Sequence, residues 1–412
     1  MNIINFGSCN IDYVYRLEHI VEPGETETTK TLETFPGGKG LNQSIAAARA
    51  GASIYHVGNV GNDGEFLVSM LSENGVDVSC IRRVDSKNGH AIIQVSDKGD
   101  NSIFLYPGSN EMMKKEFIDE VLEQFSADDM VLLQNEINHV DYIIEQAYKK
   151  GMPIVLNPSP FNEKIAKIDF DKLFCVILNE VEAKGISGCK EPEESLAYFE
   201  KRYPNLKVMI TLGANGSIFM DAGNKIYQTA YEVEVVDTTA AGDTFTGFFI
   251  AGLASGKEYT EILKMASVAA AISVSHKGAA PSIPTYEETL QALTQFRSNR
   301  HKTKEDVLLK KMEAYIEAHV KTANLSQLAE KLGYSVVYTG YIVKKITGMS
   351  FSKYLQKKRC EIAAYKLRYS EASIEEIILS VGYENQNFFR KIFKQEYGQN
   401  PLEYRKAKNE IV

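Results

Sequence analysis

The chain has 412 residues, a hydrophobic fraction of 44% and a formal net charge of −8 at pH 7. This length fits two or three domains, and the apolar fraction is ordinary for a chain that folds around a real core. The five cysteines are scattered without a C-x-x-C pair, which argues against a disulfide framework or a zinc site. We find no basic-then-apolar leader and no apolar run of the about 18 residues that a bilayer requires, so we expect a cytoplasmic protein without a membrane partner.

Charge is divided unevenly along the chain. Residues 1–296 hold 24 Lys and Arg against 41 Asp and Glu, a net −17, whereas residues 297–412 hold 22 against 13, a net +9. An acidic body with a basic terminal domain suggests a nucleic-acid partner for that domain. A solvated basic surface without a partner is the alternative, and charge alone does not separate the two.

The first predicted element is a buried strand over residues 2–7, and Asn10 and Asp12 follow at its end. Polar residues two apart in extended chain point the same way, and an amide beside a carboxylate suits vicinal hydroxyl groups. An Asx turn would explain either residue alone. Residues 13–35 predict short exposed strands.

A glycine-rich loop follows, G-G-K-G-L-N at residues 37–42, and it leads into an Ala-rich helix at 44–50. Lys39 is followed by Gly rather than Ser or Thr, so the loop is not a Walker A loop. Its glycines permit close approach of a ligand to backbone at a helix N-terminus. Asn42 lies beside Lys39 in the first turn of the helix.

The middle of the chain alternates strands and helices. Apolar strands are predicted at 53–60, 130–134, 153–156 and 175–178, and two further β-rich pieces at about 90–95 and 102–106. Strands that are apolar throughout, with helices between them, indicate a parallel sheet covered on both faces. Because ligands of such sheets bind at the carboxyl ends of strands, the polar residues that follow these strands are site candidates: Glu136, Asn157, Asn179 and Glu182.

The stretch 236–245, V-D-T-T-A-A-G-D-T-F, joins a predicted strand at 231–236 to a predicted helix at 245–253. Small residues at a helix N-terminus leave backbone N–H groups accessible to an anion such as phosphate. A carboxylate there, Asp243, suits removal of a proton from a hydroxyl group that attacks the phosphate. A helix capped by Thr239 or Asp243 is the alternative.

Several of these motifs together resemble the ribokinase family of sugar kinases. The matching segments are G-G-K-G-x-N at 37–42, N-x-x-E at 179–182, T-L-G-x-x-G at 211–216 and D-T-x-A-A-G-D-x-F at 237–245. The resemblance implies a doubly wound, mainly parallel α/β sheet with a small β lid. It also implies an ATP-dependent kinase that acts on a sugar, with ribose favoured, and a homodimer through the lid.

The resemblance further implies roles for the matching residues. Asp243 would be the base, beside an anion hole at Ala240, Ala241 and Gly242. The implied sugar contacts, besides Asp243, are Asn10, Asp12, Gly38, Lys39, Asn42 and Glu136. The implied ATP contacts are Asn179, Thr211, Gly213, Gly216, Gly242 and Ser267.

Two metal sites are implied in the same way. Glu182 would hold waters of a Mg²⁺ ion, a hard cation that prefers oxygen ligands and keeps several waters. The first turn of a helix is the alternative explanation for this acid. A monovalent cation, K⁺, would be held by Asp237, Thr239, Ser273, His276, Gly278 and Ser282. Since the contacts from the loop would be backbone carbonyls, the His276 imidazole is expected to be an ordinary surface group.

Residues 297–305 predict a polar, basic linker, and residues 306–412 an all-α domain. A helix, a Gly turn and a second helix occur at 324–346 and again at 373–397, joined by a basic helix at 350–369. This duplication resembles the AraC-type DNA-binding domain, in which the second helix of each unit enters the major groove of double-stranded DNA. A helical interaction module is the alternative.

In the second unit, the residues expected to meet DNA are Asn385, Gln386, Asn387, Arg390 and Lys391. The first unit departs from the family pattern, because Thr339-Gly340-Tyr341 stands where Leu-Ser-Arg is usual. Its readout of bases is therefore left open.

These observations predict that residues 1–296 form a sugar kinase, which is fused to a DNA-binding regulator. One rival is a transcription regulator whose kinase fold only senses sugar or nucleotide. The other keeps the enzyme but changes its substrate to deoxyribose, a hexose or a nucleoside.

Overall fold

The computed structural model describes residues 1–298, 304–370 and 372–406. The chain divides into two compact units, an N-terminal unit of Met1–Ser298 and a C-terminal unit formed by the rest. Most of the predicted linker, residues 299–303, lies outside the described residues. Its flanks are helical, because 297–298 end one helix and 304–305 begin the next.

The N-terminal unit is built on a nine-stranded sheet and a four-stranded sheet, the lid sheet. The strands in chain order are β1 (Ile3–Phe6), β2 (Asn10–Leu17), β3 (Thr31–Gly37), β4 (Ile54–Val60), β5 (Ile81–Arg83), β6 (Gly89–Ser96), β7 (Asn101–Tyr106), β8 (Met130–Gln134), β9 (Ile154–Asn157), β10 (Cys175–Asn179), β11 (Lys207–Thr211), β12 (Ser217–Asp221) and β13 (Asn224–Gln228). The large sheet has the order β13-β12-β11-β10-β9-β8-β1-β4-β5. Its strands are parallel except at β11–β12 and β12–β13, which are antiparallel.

The helices of this unit are α1 (Lys39–Arg49), α2 (Glu65–Glu73), α3 (Lys115–Glu123), α4 (Val140–Lys149), α5 (Glu180–Ser187), α6 (Pro192–Arg202), α7 (Ala241–Ala254), α8 (Tyr259–Val274) and α9 (Tyr286–Ser298). Alternate residues of β8 belong to two different cores. Val131 and Leu133 pack with α3 and α4, whereas Met130 and Leu132 share a core with α1, α7 and α8. The predicted sheet with helices on both faces is confirmed.

The lid sheet has the order β3-β2-β6-β7. Asn10 and Asp12 begin β2 of this sheet, and the prediction that they end the first strand is wrong, since β1 stops at Phe6. The chain leaves the large sheet at Gly7, where it passes so close to the start of α1 that a Cβ would lie 2.6 Å from Gly40 Cα.

The predicted strand at 231–236 is also wrong, because these residues have no regular structure. Their alternating pattern is that of a strand, but no neighbouring strand pairs with them among the described residues. The amides of Val236 and Asp237 both donate to the carbonyl oxygen of Val274, at 2.8 and 3.1 Å. Val235 and Val236 remain 62% and 59% exposed.

The C-terminal unit is helical throughout the residues that the structure describes. Its helices are α10 (Lys304–Ala318), α11 (Leu325–Leu332), α12 (Val336–Thr347), α13 (Phe351–Tyr369), α14 (Ile374–Ser380), α15 (Gln386–Tyr397) and α16 (Pro401–Lys406). Two small cores share the long helix α13: one includes Leu328 and Val343, the other Ile378 and Phe393. The two predicted helix-turn-helix units are thus α11–α12 and α14–α15. Across the described ranges, no helix is long and apolar enough to cross a bilayer.

The crossing of α1 and α7 is tight. A Cβ placed on Gly247 of α7 would lie 2.3 Å from Ala46 Cβ and 2.7 Å from the Ala47 amide nitrogen. We expect Gly247→Ala to lower the free energy of unfolding by about 1–3 kcal/mol, because the two helices must move apart. Thermal unfolding measures this change. Gly340→Ala is the matched control: its Cβ would meet only Leu325 Cδ2, at 3.5 Å, so it should leave stability unchanged or raise it. Equal effects of the two substitutions would contradict the prediction.

Candidate functional site

Helix α7 begins without a side-chain cap within the described structure. Ala240 precedes it in the left-handed conformation (φ 59°, ψ 7°), and the Thr244 amide closes the first helical turn on its carbonyl oxygen at 2.8 Å. In this geometry the N–H groups of Gly242 and Asp243 have no acceptor within the helix. A Cβ on Gly242 would meet no described atom within 4 Å. The helix start therefore offers backbone donors in open space at the positive end of its dipole.

Asp243 is fixed by two side-chain amides from α1. Asn42 Nδ2 donates to Oδ2 at 3.1 Å, and Gln43 Nε2 donates to Oδ1 at 2.9 Å. The residue is only 7% exposed, yet its carboxylate is surrounded by polar groups rather than by a hydrophobic core. The carboxylate is thus held in one orientation beside the start of α7.

The amide of Gln43 belongs to a buried polar chain that reaches the central strands. Its Oε1 accepts from Gln134 Nε2 at 2.8 Å, and Gln134 also donates to Asn5 Oδ1 at 3.0 Å. Gln43 Nε2 is shared with Asn157 Oδ1 at 3.1 Å. Sequence reasoning missed Gln43, Gln134 and Asn5. The sequence pattern could have indicated them, because these three amide residues occupy positions where the helix and strand patterns predict apolar side chains.

Lys39 lies among three acids. The charge of Asp243 is the main cause that raises the Lys39 pKa, against the effect of burial, and Glu136 and Glu182 act in the same direction. Burial raises the pKa of Glu136, which accepts hydrogen bonds from Ser8 Oγ and, at 2.9 Å, from the Lys39 amide. The ammonium group is therefore cationic at the centre of the acidic site.

Asp12 completes the acidic cluster. Burial raises its pKa to about 7, and the charges of Glu136 and Asp243 add to this shift. A carboxyl group that retains its proton near neutral pH can either donate or accept a hydrogen bond. The structure thus brings Asp12, Lys39, Glu136 and Asp243 into one site, although they come from distant segments.

Two more groups define the part of the site next to β2. Asn10 Oδ1 accepts from Asn110 Nδ2 at 2.7 Å, and Asn110 Oδ1 accepts from the Cys9 amide at 3.1 Å. Asn110 was also missed, since its position between β7 and α3 reads as a loop. Asn42 Oδ1 is buried and has no hydrogen-bond partner among the described residues. An unused acceptor next to Asp243 is suited to a ligand hydroxyl group.

Apart from Gly242, which lies in the first turn of α7, the residues predicted to bind ATP and Mg²⁺ lie at or just after strand ends, with one exception. Asn179 caps α5 through a capping box: its Oδ1 accepts from the Glu182 amide, and Glu182 Oε2 accepts from the Asn179 amide, both at 2.9 Å. Thr211 ends β11, and Gly213 and Gly216 form the left-handed turn into β12 (φ 53° and 99°). Ser267, the exception, is buried on α8.

Five of the residues predicted to hold a monovalent cation form two groups, and hydrogen bonds join the members of each group. Asp237 Oδ1 accepts from the Thr239 amide at 2.9 Å, and Oδ2 accepts from the Gly278 amide at 3.0 Å. Burial would raise the Asp237 pKa, but these bonds and that from the Thr239 hydroxyl outweigh it and lower the pKa. Ser273 Oγ lies 2.8 Å from Ser282 Oγ. His276 is exposed with Nδ1 2.9 Å from the Ile272 carbonyl oxygen, as expected of a surface histidine.

A cluster of potential metal ligands lies elsewhere. Among the described residues, the group with three ligand atoms close together is His19, Glu25 and Glu27 of the lid segment, and it is largely exposed. Glu182, the acid predicted for Mg²⁺, does not belong to this cluster.

In the C-terminal unit, α15 presents most of the predicted DNA contacts to solvent. Asn387, Arg390 and Lys391 are exposed, and Gln386 is partly exposed. Asn385 is the N-cap of α15, with Oδ1 accepting from the Phe388 amide at 3.0 Å. Asn385 Oδ1 has a second lone pair, so this cap restricts the orientation of the side chain and still leaves its amide able to contact a base.

Comparisons with known proteins agree with this geometry. A model of the pfkB family carbohydrate kinases matches residues 2–286, and a helix-turn-helix domain model matches residues 328–407. The ribokinase of Haemophilus influenzae is 36% identical over 302 residues, which span 70% of this chain and 96% of that protein. The ribokinase of Bacillus subtilis is 35% identical over 298 residues, which span 71% and 99%.

A solved structure gives the same result. Arabidopsis thaliana ribokinase, complexed with ribose and ATP, is 30% identical and superposes with a TM-score of 0.63 over 71% of this chain and 98% of that one. The predicted fold class and both resemblances are confirmed. The chain therefore belongs to the pfkB family of carbohydrate kinases and carries an AraC-type helix-turn-helix domain in its C-terminal part.

Proposed function

We propose that this chain transfers the terminal phosphoryl group of ATP to the primary hydroxyl group of D-ribose, which gives ribose 5-phosphate and ADP. The observation that carries the proposal is the position of Asp243, oriented by Asn42 and Gln43 at the uncapped start of α7. The relatives called ribokinase and the relative complexed with ribose and ATP support the choice of sugar.

Asp243 takes the proton of the attacking hydroxyl group, and the oxygen–phosphorus bond forms as the bond to ADP breaks. Negative charge on the transferred group is stabilised by the N–H groups of Gly242 and Asp243 and by the Lys39 ammonium group. Ala240 and Ala241 shape the turn that presents these N–H groups. Such preorganised donors are most effective where charge develops in the transition state. Proton removal by a positioned base contributes about 10²–10⁴-fold to the rate.

The sugar hydroxyl groups are bound by Asn10, Asp12, Asn42 and Glu136, with backbone contacts at Gly38. Asn42 Oδ1 supplies the unused acceptor, and Asp12 supplies a carboxyl group that can donate or accept. Since Asn42 also holds Asp243, a bound hydroxyl group is brought next to the base.

The donor groups at the nucleotide end fit ATP with Mg²⁺ and K⁺. Asn179 and the turn of Thr211, Gly213 and Gly216 would contact the nucleotide, with Ser267 on α8 as a further candidate. Glu182 uses Oε2 in its capping bond, so it would hold a water of Mg²⁺ through Oε1; the ion would neutralise phosphate charge. The ionised Asp237 and the carbonyl groups of the loop at 273–282 suit K⁺, which would stiffen the start of α7.

Two alternatives remain from the sequence. A deoxyribokinase of Salmonella typhi is 27% identical over 299 residues, which keeps deoxyribose in view as a substrate. The second alternative is a regulator that senses sugar with little turnover. Against it stands the complete set of groups around Asp243, because sensing alone requires no base at the phosphate site.

The central test is ATP consumption by the full chain with a panel of pentoses, hexoses and nucleosides. We expect D-ribose to give the highest kcat/KM. Asp243→Asn should lower kcat by about 10²–10⁴-fold through loss of the base, with little change in ribose affinity measured by calorimetry. Asp100→Asn, on the exposed turn of the lid, should leave both unchanged. Near-normal turnover of Asp243→Asn would contradict the assigned base. If none of the sugars in the panel supports ATP consumption, the sensing alternative is favoured.

The raised pKa of Asp12 predicts a dependence of stability on pH. The folded chain keeps this proton up to about pH 7, whereas the unfolded chain loses it near pH 4, so ionisation of Asp12 lowers stability as pH rises between these values. Asp12→Asn removes that cost. We expect the Tm of the variant minus that of the wild type to increase from pH 4 to pH 7 and then level off, while ribose affinity falls. Asp100→Asn should show no such trend, and a Tm difference for Asp12→Asn that is constant with pH would contradict the prediction.

We further propose a cytoplasmic homodimer that binds double-stranded DNA. The five free thiols and the DNA-binding domain support the location. The edge strand β7 supports the dimer, because all six of its residues are exposed, including Ile103, Phe104 and Leu105 at 51–54%. An exposed apolar edge strand is a template for pairing with another chain.

Phe104→Lys tests the dimer. A charge in the centre of the edge strand should shift the full chain from dimer to monomer in sedimentation analysis, because two apposed β7 strands would bury it. Ser102→Lys places the same charge two residues away, near the N-terminal end of β7, and should weaken the dimer less. A wild-type chain that is already monomeric would contradict the proposal.

A further inference from the structure

We propose that the two recognition helices of the C-terminal unit read DNA by different chemistry. Helix α15 forms hydrogen bonds with base edges, whereas α12 recognises the C5 methyl groups of thymine through Val336 and Val337. The inference rests on DNA binding by this domain and assigns to its first half a base preference of its own.

The two helices correspond position by position. Ser335 and Asn385 each cap their helix by accepting the backbone N–H three residues later, at 3.2 and 3.0 Å. Four positions after each cap comes a fully buried residue, Thr339 in α12 and Phe389 in α15. The next two buried positions also match, as Ile342 with Ile392 and Val343 with Phe393. The same face of each helix therefore packs on its core, and the outward positions match except at Tyr338, which is buried where Phe388 is 55% exposed.

The outward positions differ in chemistry. Gln386 and Asn387 of α15 correspond to Val336 and Val337 of α12, and Arg390 corresponds to Gly340. Val336 is 43% exposed and Val337 is 60% exposed. Where α15 offers amides and a guanidinium group, α12 therefore offers two branched alkyl groups and a position without a side chain.

Only one apolar group lies on a base edge in the major groove, the methyl group of thymine. Valine has no donor or acceptor for the other edges, and water is released when its exposed methyl groups meet that of thymine. Gly340 keeps the surface flat beyond the two valines, since a Cβ there would meet only Leu325 Cδ2 within 4 Å among the described atoms. The first two turns of α12 can therefore approach the base edges closely.

The helix is also equipped to lie on DNA. Lys344 and Lys345 are exposed two turns further along α12, where basic side chains can reach phosphate groups. Phosphate contacts fix the position of a helix and leave base choice to the residues in the groove. An exposed apolar pair beside lysines thus fits a thymine-containing groove better than an apolar protein surface.

The test uses the full chain and duplexes selected from a random library. Replacement of thymine by uracil removes only the C5 methyl group. In the half of the site contacted by α12, we expect binding to weaken roughly fourfold for each replaced thymine whose methyl group meets Val336 or Val337. This is the factor expected when one buried methyl group is lost. Replacements in the half contacted by α15 should have smaller effects. Footprints of Val337→Ala and Asn387→Ala assign the halves.

A double-mutant cycle then links the methyl group to the side chain. Val337→Ala should weaken binding to the thymine duplex and should lose the penalty for uracil, because the partner of the methyl group is gone. Leu402→Ala, at an apolar residue of the same unit that is 50% exposed, should keep the full penalty. Asn387→Ala should relax base choice only in the other half.

The outcomes separate the inference from its premise. If the full chain selects no duplex, DNA binding itself is wrong. If it selects duplexes but uracil is tolerated throughout, or if Val337→Ala keeps the uracil penalty, the thymine readout is overturned. A Val337→Ala variant with normal DNA binding that loses a protein partner would assign the valine pair to protein contact instead.

Discussion

The packing of α1 against α7 is the contact on which the proposed active site depends. Gly247 lets the backbones approach so closely that a methyl group would collide with Ala46 and Ala47. At that distance the amides of Asn42 and Gln43 reach both carboxylate oxygens of Asp243. A carboxylate held by two donors cannot rotate freely, so its position relative to the uncapped start of α7 is set before any ligand arrives.

The same site concentrates charge that a folded protein would ordinarily avoid. The charges of Glu136, Glu182 and Asp243 act on one lysine. Glu136 and Asp243 also act on Asp12, whose pKa is raised chiefly by burial, and this raised pKa is a cost in stability. Such a cost is expected where binding and catalysis require groups that packing alone would exclude. The buried amides of Gln43, Gln134 and Asn5 hydrogen-bond to one another beside this cluster, but Gln134 Oε1 has no partner among the described residues.

The C-terminal unit shows how one scaffold can carry two surfaces. The second helices of the two units share an N-cap and three matching buried positions, so they are alike in plan. The exposed positions differ between the two helices, and a residue that faces solvent has little effect on folding. One helix exposes amides and an arginine, and the other exposes valines and a glycine. This difference therefore has to be explained by what each helix contacts.

The sequence by itself determined the α/β class, the lid strands and the duplicated helix-turn-helix, because periodicity, glycine turns and short motifs act over a few neighbouring residues. It failed at 231–236, where the alternating pattern is that of a strand but no partner strand is present among the described residues. It also missed Gln43 and Asn110, whose meaning comes from side chains distant in the chain. The resemblance already assigned Asp12, Lys39, Glu136 and Asp243 to one site, but only the tertiary structure decided their mutual electrostatics, because these depend on distances in space.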